Sequence, residues 1–278
     1  MDSPEIFDRT ARRLRRDRAA PIYVDHDFLR AAMLDGIAER LDGVKRKFAD
    51  ILDLGCFDGA FVPPPNSAVT RIDAGRLFAA QAHGIQSDED MLPVEPESFD
   101  LVVSAGVLDT VNDVPGALTQ IRRALKPDGL FLGAFVGGTS LPTMRACFLQ
   151  AEADRPAARF HPMIDVRSAG DLLVRAGFVL PVADSETLSV RYSDLFRLIG
   201  DLRGMAATNV LRGRVPLART ALAAAAAAFA ERADPDGRTT ERFDLIFLTG
   251  WAPSPDQPKP ARRGSATVSL ASAFARKD

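Results

Sequence analysis

The residues with the most chemistry to offer are acids that follow short apolar runs. In Ile51-Leu52-Asp53-Leu54-Gly55-Cys56-Phe57-Asp58-Gly59 such a run leads directly into a glycine turn. That pattern suits a buried parallel strand, and open α/β sheets place their ligand crevice at the C-terminal ends of the strands. Glycine there lets the backbone approach a ligand closely, or simply makes a tight turn, and this segment alone divides evenly between the two. Asp73 ends the next strand candidate, residues 68–73, where one carboxylate can accept hydrogen bonds from both hydroxyls of a ribose. Asp88-Glu89-Asp90 follows, ahead of a clear strand at 99–104. Each acid alone reads as a solvated loop residue. In series with the glycine turn and correctly ordered strands, they read as a nucleoside-binding set.

The elements that must position these residues alternate along the chain. A broad apolar stripe predicts a helix over 27–41, followed by strands at 49–54, 68–73 and 99–104. An amphipathic helix at 114–125 is stopped by Pro127 and Gly129, and strand 130–136 ends at Gly137-Gly138. Helices at 141–152 and 166–176, extended runs at 178–183 and 187–191, a helix at 193–204 with Ser193 as its N-cap and a strand at 243–251 complete the pattern. The alanine run 221–228 reads as a packed helix. The fold class expected is α/β: a Rossmann-like, doubly wound, mostly parallel sheet with helices on both faces. The domains expected are a charged arm over 1–26, one α/β domain over 27–252 and a proline-rich tail over 253–278.

Composition excludes several classes. The chain has 278 residues with 35 Lys and Arg against 37 Asp and Glu, so it lacks the basic excess of a nucleic-acid-binding protein. No apolar run is long enough to span a bilayer. Two cysteines, Cys56 and Cys147, and three scattered histidines offer no disulfide framework and no zinc-ligand spacing, so no metal site is expected. The arginines between 12 and 18 are interspersed with acids, unlike a transit peptide, and a cytoplasmic location is the expectation. These arginines, with Arg262-Arg263, read as a solvated face in preference to a docking site for an acidic partner.

Asp53-Leu54-Gly55-Cys56, Asp88 to Pro93, Phe99 to Ser104 and Leu125-Lys126-Pro127-Asp128-Gly129 resemble the successive motifs of class I S-adenosylmethionine (SAM)-dependent methyltransferases. More narrowly the chain resembles the methyltransferase-like complex I assembly factors that hydroxylate a protein arginine. That match rests on Ile6-Phe7-Asp8-Arg9, Val111-Asn112-Asp113-Val114-Pro115, Phe135 to Thr139 and a tail motif, Gly264 to Ser269. The resemblance implies SAM as cofactor. Asp53, Gly55, Cys56 and Gly59 would line its methionine and ribose side, and Asp73 would hold the ribose hydroxyls. Asp88 would accept from the adenine amino group, with the Glu89 backbone at the ring edge, and Ser104 and Ala105 would border the reaction centre. No catalytic residue is singled out, because an activated sulfonium needs alignment more than acid–base help.

Three functions remain open: methyl transfer to a protein or small-molecule acceptor, arginine hydroxylation in complex I assembly with the iron–sulfur subunit near the quinone site as partner, or a non-catalytic scaffold. The second lacks a clear facial triad of two histidines and a carboxylate. Departures from the pattern point to a weakened or lost cofactor site. Phe57 stands where a glycine is usual, and Pro63-Pro64-Pro65 should stop the following helix after little more than a turn. The interval from Asp73 to Asp88 leaves little room for both a helix and a strand. Leu108-Asp109-Thr110 replaces the family's Leu-His-Trp, and Asp109 reads as a solvated or capping acid.

Overall fold

A computed structural model of the chain describes residues 5–257. Seven strands form one sheet in the order β3-β2-β1-β4-β5-β7-β6. The strands are β1 (Asp50–Leu54), β2 (Ala68–Asp73), β3 (Ile85–Gln86), β4 (Phe99–Ala105), β5 (Leu125–Gly137), β6 (Val179–Tyr192) and β7 (Thr239–Trp251). β1 to β5 pair in parallel, whereas β7 runs antiparallel to both β5 and β6. The expected class holds.

Alternation along the central strands sorts their side chains into two cores. Ile51, Leu101, Val103, Leu130 and Leu132 face a layer made by α2 (Phe28–Asp42), α5 (Pro142–Ala151), α7 (Leu195–Gly204) and α8 (Arg219–Ala230). Leu52, Leu54, Val102 and Phe131 face α4 (Val114–Ala124) and α6 (Val166–Arg175) on the other side. Two further helices, α1 (Arg9–Ala19) and α3 (Arg76–Gln81), sit with Phe57, Tyr23, Phe78 and Val107 near the C-terminal strand ends.

Some expectations need correction. No helix at all joins β1 to β2; after the Cys56–Gly59 turn, residues 60–67 cross as irregular chain, because the prolines remove the amide donors a helical turn would need. Conversely, the short interval after Asp73 holds both α3 and β3, each in miniature. The N-cap of α7 is Asp194, which accepts from the Arg197 amide at 3.0 Å, and Ser193 only donates to Asp194. The two extended runs after α6 are one continuous strand, β6. Leu125 to Gly129 does not stop a helix in a loop; it starts β5 beside Phe99, at the opposite end of the strands from the glycine turn. The tail motif at 264–269, Arg262-Arg263 and most of the expected tail lie outside the described residues.

Candidate functional site

Asp73 ends β2, and Asp53 lies one residue before the end of the adjacent parallel strand β1; the register pairs Asp53 with Arg71, two residues before Asp73, so both acids sit at the same rim. Both are fully buried, as are Asp88 and Glu89 in the turn after β3. The glycine turn is drawn over them. The amides of Gly55 and Cys56 donate to the Ile72 carbonyl, and the Phe57 amide donates to Asp73 Oδ2 at 2.9 Å. Gly55 has φ +75°, and a Cβ there would sit 2.3 Å from Val107 Cγ1, so packing alone already demands glycine. Gly59 and Cys56 shape the same turn, with the Cys56 thiol pushed up by burial and so held protonated. Ser104 and Ala105, at the end of β4, are buried against it. The structure thus brings every sequence-predicted site residue to one rim.

What fills the rim comes from α1. Arg9, Arg12, Arg13 and Arg16 recur at i, i+3, i+4 and i+7, which is one face of a helix. Arg16 Nε donates to Asp73 Oδ1 at 2.8 Å, and its Nη2 pairs with Oδ2. Arg12 grips Glu89 with two bonds of 2.7 and 2.8 Å, and its Nε donates to Thr110 Oγ1. Arg13 and Arg9 both reach Asp88, and Arg9 also holds Asp90 with two bonds of 2.7 Å. These parallel bonds are the strong, charge-assisted kind. Arg12, Arg13 and Arg16 are therefore no solvated face: with Arg9 they dock on an acidic partner, which is their own chain's crevice.

The entry of α1 is fixed by motifs whose role the sequence did not disclose. Asn112 clamps the Phe7 backbone, accepting from its amide at 2.8 Å and donating to its carbonyl at 3.1 Å. Asp8 caps α1 through the Ala11 amide, and Phe7 bridges to Leu211. His161 Nε2 accepts from the Val210 amide at 3.0 Å, and burial, followed by Arg145 and Arg12, lowers its pKa to about 4. A neutral imidazole is a structural acceptor here. The spacing of the four arginines on one helical face, opposite the acid run at 88–90, was the signal that could have found this arrangement.

The Phe57 ring does occupy the crevice. It stacks on Tyr23 at 4.8 Å, carries the Arg16 guanidinium 4.0 Å from its centroid, and is held at φ +48° in the left-handed region. Beside it the polar groups are under-satisfied. Arg30 Nη2 lies 3.7 Å from Asp53 Oδ1, and Arg71 Nε lies 3.9 Å from Oδ2. Neither Asp53 oxygen makes a hydrogen bond, nor do Ser104 Oγ, Arg71 Nε, or Nε and Nη2 of Arg30. Burial pushes the Asp53 carboxyl up to about 6, against the pull of Arg30 and Arg71. Asp109 is half-buried, neither solvated nor a cap, and burial lifts it to about 6 against Arg12.

These two halves test differently as a SAM site. A carboxylate held only in long ion pairs, without a hydrogen bond, beside guanidinium nitrogens with donors to spare fits the ammonium and carboxylate of an amino-acid zwitterion, which is the methionine end. The acids suited to ribose and adenine fit by type and place, and they currently hold arginines. Among the described residues no cluster of three or more His, Cys, Asp or Glu is arranged to hold a metal ion.

Comparison with known proteins agrees with this geometry. A methyltransferase domain model matches residues 25–181. The arginine-hydroxylase NDUFAF5, mitochondrial, of Danio rerio is 34% identical over 96% of this chain and 88% of its own length. A malonyl-[acyl-carrier protein] O-methyltransferase of Laribacter hongkongensis is 29% identical over 86% of this chain and 87% of its own. Among solved structures, the YcgJ protein from Bacillus subtilis covers 79% of this chain and 99% of its own, with TM-score 0.56 and 13% identity. The Haemonchus contortus phosphoethanolamine N-methyltransferase 2 in complex with S-adenosylhomocysteine covers 80% of this chain and 53% of its own, with TM-score 0.50 and 15% identity. The expectation of a plain cytoplasmic location is overturned, because NDUFAF5 relatives of Danio rerio, Homo sapiens and Mus musculus are mitochondrial proteins. By the domain match and by identity across nearly its whole length, the chain belongs to the methyltransferase-domain family, in the group that includes the arginine-hydroxylase NDUFAF5.

Proposed function

We propose that the chain is a SAM-binding enzyme of the methyltransferase fold that modifies an arginine on a protein client during assembly of respiratory complex I. The observation that carries SAM binding is a set of buried polar atoms without hydrogen bonds: both Asp53 oxygens, Ser104 Oγ, Arg71 Nε, and Nε and Nη2 of Arg30. Buried polar groups without partners are rare and costly in isolation, and a bound zwitterion would satisfy them together. Asp53, Gly55, Cys56 and Gly59 then line the methionine and ribose, Asp73 holds the ribose, Asp88 and Glu89 meet the adenine, and Ser104 and Ala105 border the reacting centre. Since Asp73 now spends its oxygens on Arg16, Phe57 and Gly75, the nucleoside enters only as α1 withdraws Arg16 and Arg12.

Calorimetric titration with S-adenosylhomocysteine tests this directly. Arg16→Gln, which removes the charge holding α1 to Asp73, should tighten binding by roughly tenfold, a change of about 1.4 kcal/mol. Arg30→Ala should abolish it. Equal affinity of wild type and Arg30→Ala would overturn the assignment of the methionine end.

The client rests on the relatives named arginine-hydroxylases and on the resemblance of Val111 to Pro115 and Ile6 to Arg9 to that group. Mass spectrometry of the iron–sulfur subunit near the quinone site, from cells lacking this gene, should show one arginine with an altered mass. An unchanged arginine there removes the client. The scaffold reading draws on the arginine-filled acids; it becomes correct if neither wild type nor Arg16→Gln binds S-adenosylhomocysteine at millimolar concentration.

A further inference from the structure

A second cavity, of about 440 Å³, lies on the side of α1 turned away from the acids. Its wall is apolar, formed by Leu141, Met144 and Phe148 around α5, Leu202 on α7, and Leu217 and Leu222 at α8. Its charged lining is of one sign. Arg15, Arg159, Arg203 and Arg214 reach it, and no carboxylate among the described residues does.

The four arginines are not equally engaged. Arg159 is locked bidentately on Glu152, and Arg214 pairs with Asp8 at 3.0 Å. Arg15 and Arg203 make no side-chain hydrogen bond or ion pair within the described residues. Burial, with Arg18, Arg214 and Arg203 close by, lowers the Arg15 pKa, so like charges crowd Arg15, and of the four cavity arginines only Arg159 and Arg214 have an acid partner among the described residues. Arginine neighbours with no acid between them cost free energy until an anion joins them.

A cavity of this volume is in the range of small-molecule sites, which combine apolar walls with a few polar groups that fix orientation. We infer that it binds an amphiphilic anion: a single acyl chain lying along the Leu141–Leu222 wall, with a carboxylate or phosphate head between Arg15 and Arg203. The chain's own C-terminal segment is a poor occupant on charge, since Lys259, Arg262, Arg263, Arg276 and Lys277 outnumber Asp278. The inference stands apart from the chemistry of the crevice, because it uses none of the acids there.

Titration of the full chain with decanoate, decyl phosphate and decanol tests it. The two anions should bind saturably with decanol at least roughly tenfold weaker, and the preference should shrink as salt rises. Whichever of decanoate and decyl phosphate binds tighter identifies the head group as acyl carboxylate or phosphate monoester. Arg203→Gln, at an exposed position that folding does not need, should cost the anions about tenfold and leave decanol unchanged. Leu202→Trp, which fills the wall, should remove binding of all three while S-adenosylhomocysteine titration stays as in wild type. Decanol binding as tightly as decanoate, or anion binding that survives Leu202→Trp, overturns the inference.

Discussion

At the end of β2 and in the turn after β3, each buried carboxylate meets a guanidinium of α1, while at the ends of β1 and β4 Asp53 and Ser104 keep polar atoms without hydrogen bonds. Both regions lie on one rim and both bury charge, yet they solve desolvation differently. The first spends a helix to do it. The second leaves the deficit standing and shifts a proton affinity instead, with Asp53 lifted to about 6. A buried ion pair is weak evidence for net stability, but breaking one by removing a single partner is expensive. The contrast therefore separates acids whose charge is answered within the chain from polar atoms left without a hydrogen bond.

Breaking the satisfied half should have the largest effect. Arg16→Leu strands Asp73 without its counter-charge and should lower unfolding free energy by about 3–5 kcal/mol, read from urea midpoints. A wild-type midpoint would mean that α1 covers the crevice loosely and the contrast is false.

The unsatisfied half should announce itself through pH. Asp53 has a folded pKa of about 6, raised from 3.8. The folded state thus holds its proton more tightly than the unfolded chain does. Its contribution is favourable below about pH 4 and is lost as pH rises to about 6, roughly 3 kcal/mol for a two-unit shift. Asp53→Asn removes that loss, so the variant should gain on wild type by up to about 3 kcal/mol between pH 4 and 7. Denaturant melts at both pH values that show a constant gap would place Asp53 in contact with water. Asp109, lifted to about 6 as well, titrates with the same sign, so an Asp109→Asn control separates the two.

Phe57 sits between the halves. Phe57→Gly loses core burial worth about 3–5 kcal/mol but relieves a left-handed backbone costing about 1–3 kcal/mol, for a net loss of about 2 kcal/mol. The accompanying S-adenosylhomocysteine affinity should rise; a fall would show that the ring supports the ligand.

The mildest change is Asn112→Ala. It should cost about 1–2 kcal/mol through two lost bonds to Phe7, with faster amide exchange confined to α1. Exchange that quickens equally in β4 and β5 would mean α1 and the sheet unfold as one unit.

Much of the sheet was legible because its central strands are short, mostly apolar runs closely followed by glycine, as with 49–54 before Gly55 and 99–104 before Gly106. Asp53 and Asp73 were legible for the same reason, since strand ends fix where they sit. The arginine face of α1 was not, because a charged helix without apolar periodicity looks solvated until its acceptors, distant in sequence, are known. Asp88 and Arg13 are 75 residues apart. The motif at Val111 to Pro115 was visible as a resemblance, but its physical task, gripping the Phe7 backbone, depends on Asn112 and on a main chain with no distinguishing side chain. Thr110 was read as a lost aromatic; it is an acceptor for Arg12. The triproline marks a helix break in the sequence, and in the structure the break extends over the whole crossing from β1 to β2.

That crossing from β1 to β2 has a consequence on the other side of the folding equilibrium. Without a helix, residues 55–67 forgo a ladder of internal hydrogen bonds. Pro63, Pro64 and Pro65 make up part of the difference before folding begins, because three fixed rings in succession leave the denatured chain fewer shapes to surrender. The link is ordered less by what it touches in the finished molecule than by how little freedom it had at the outset.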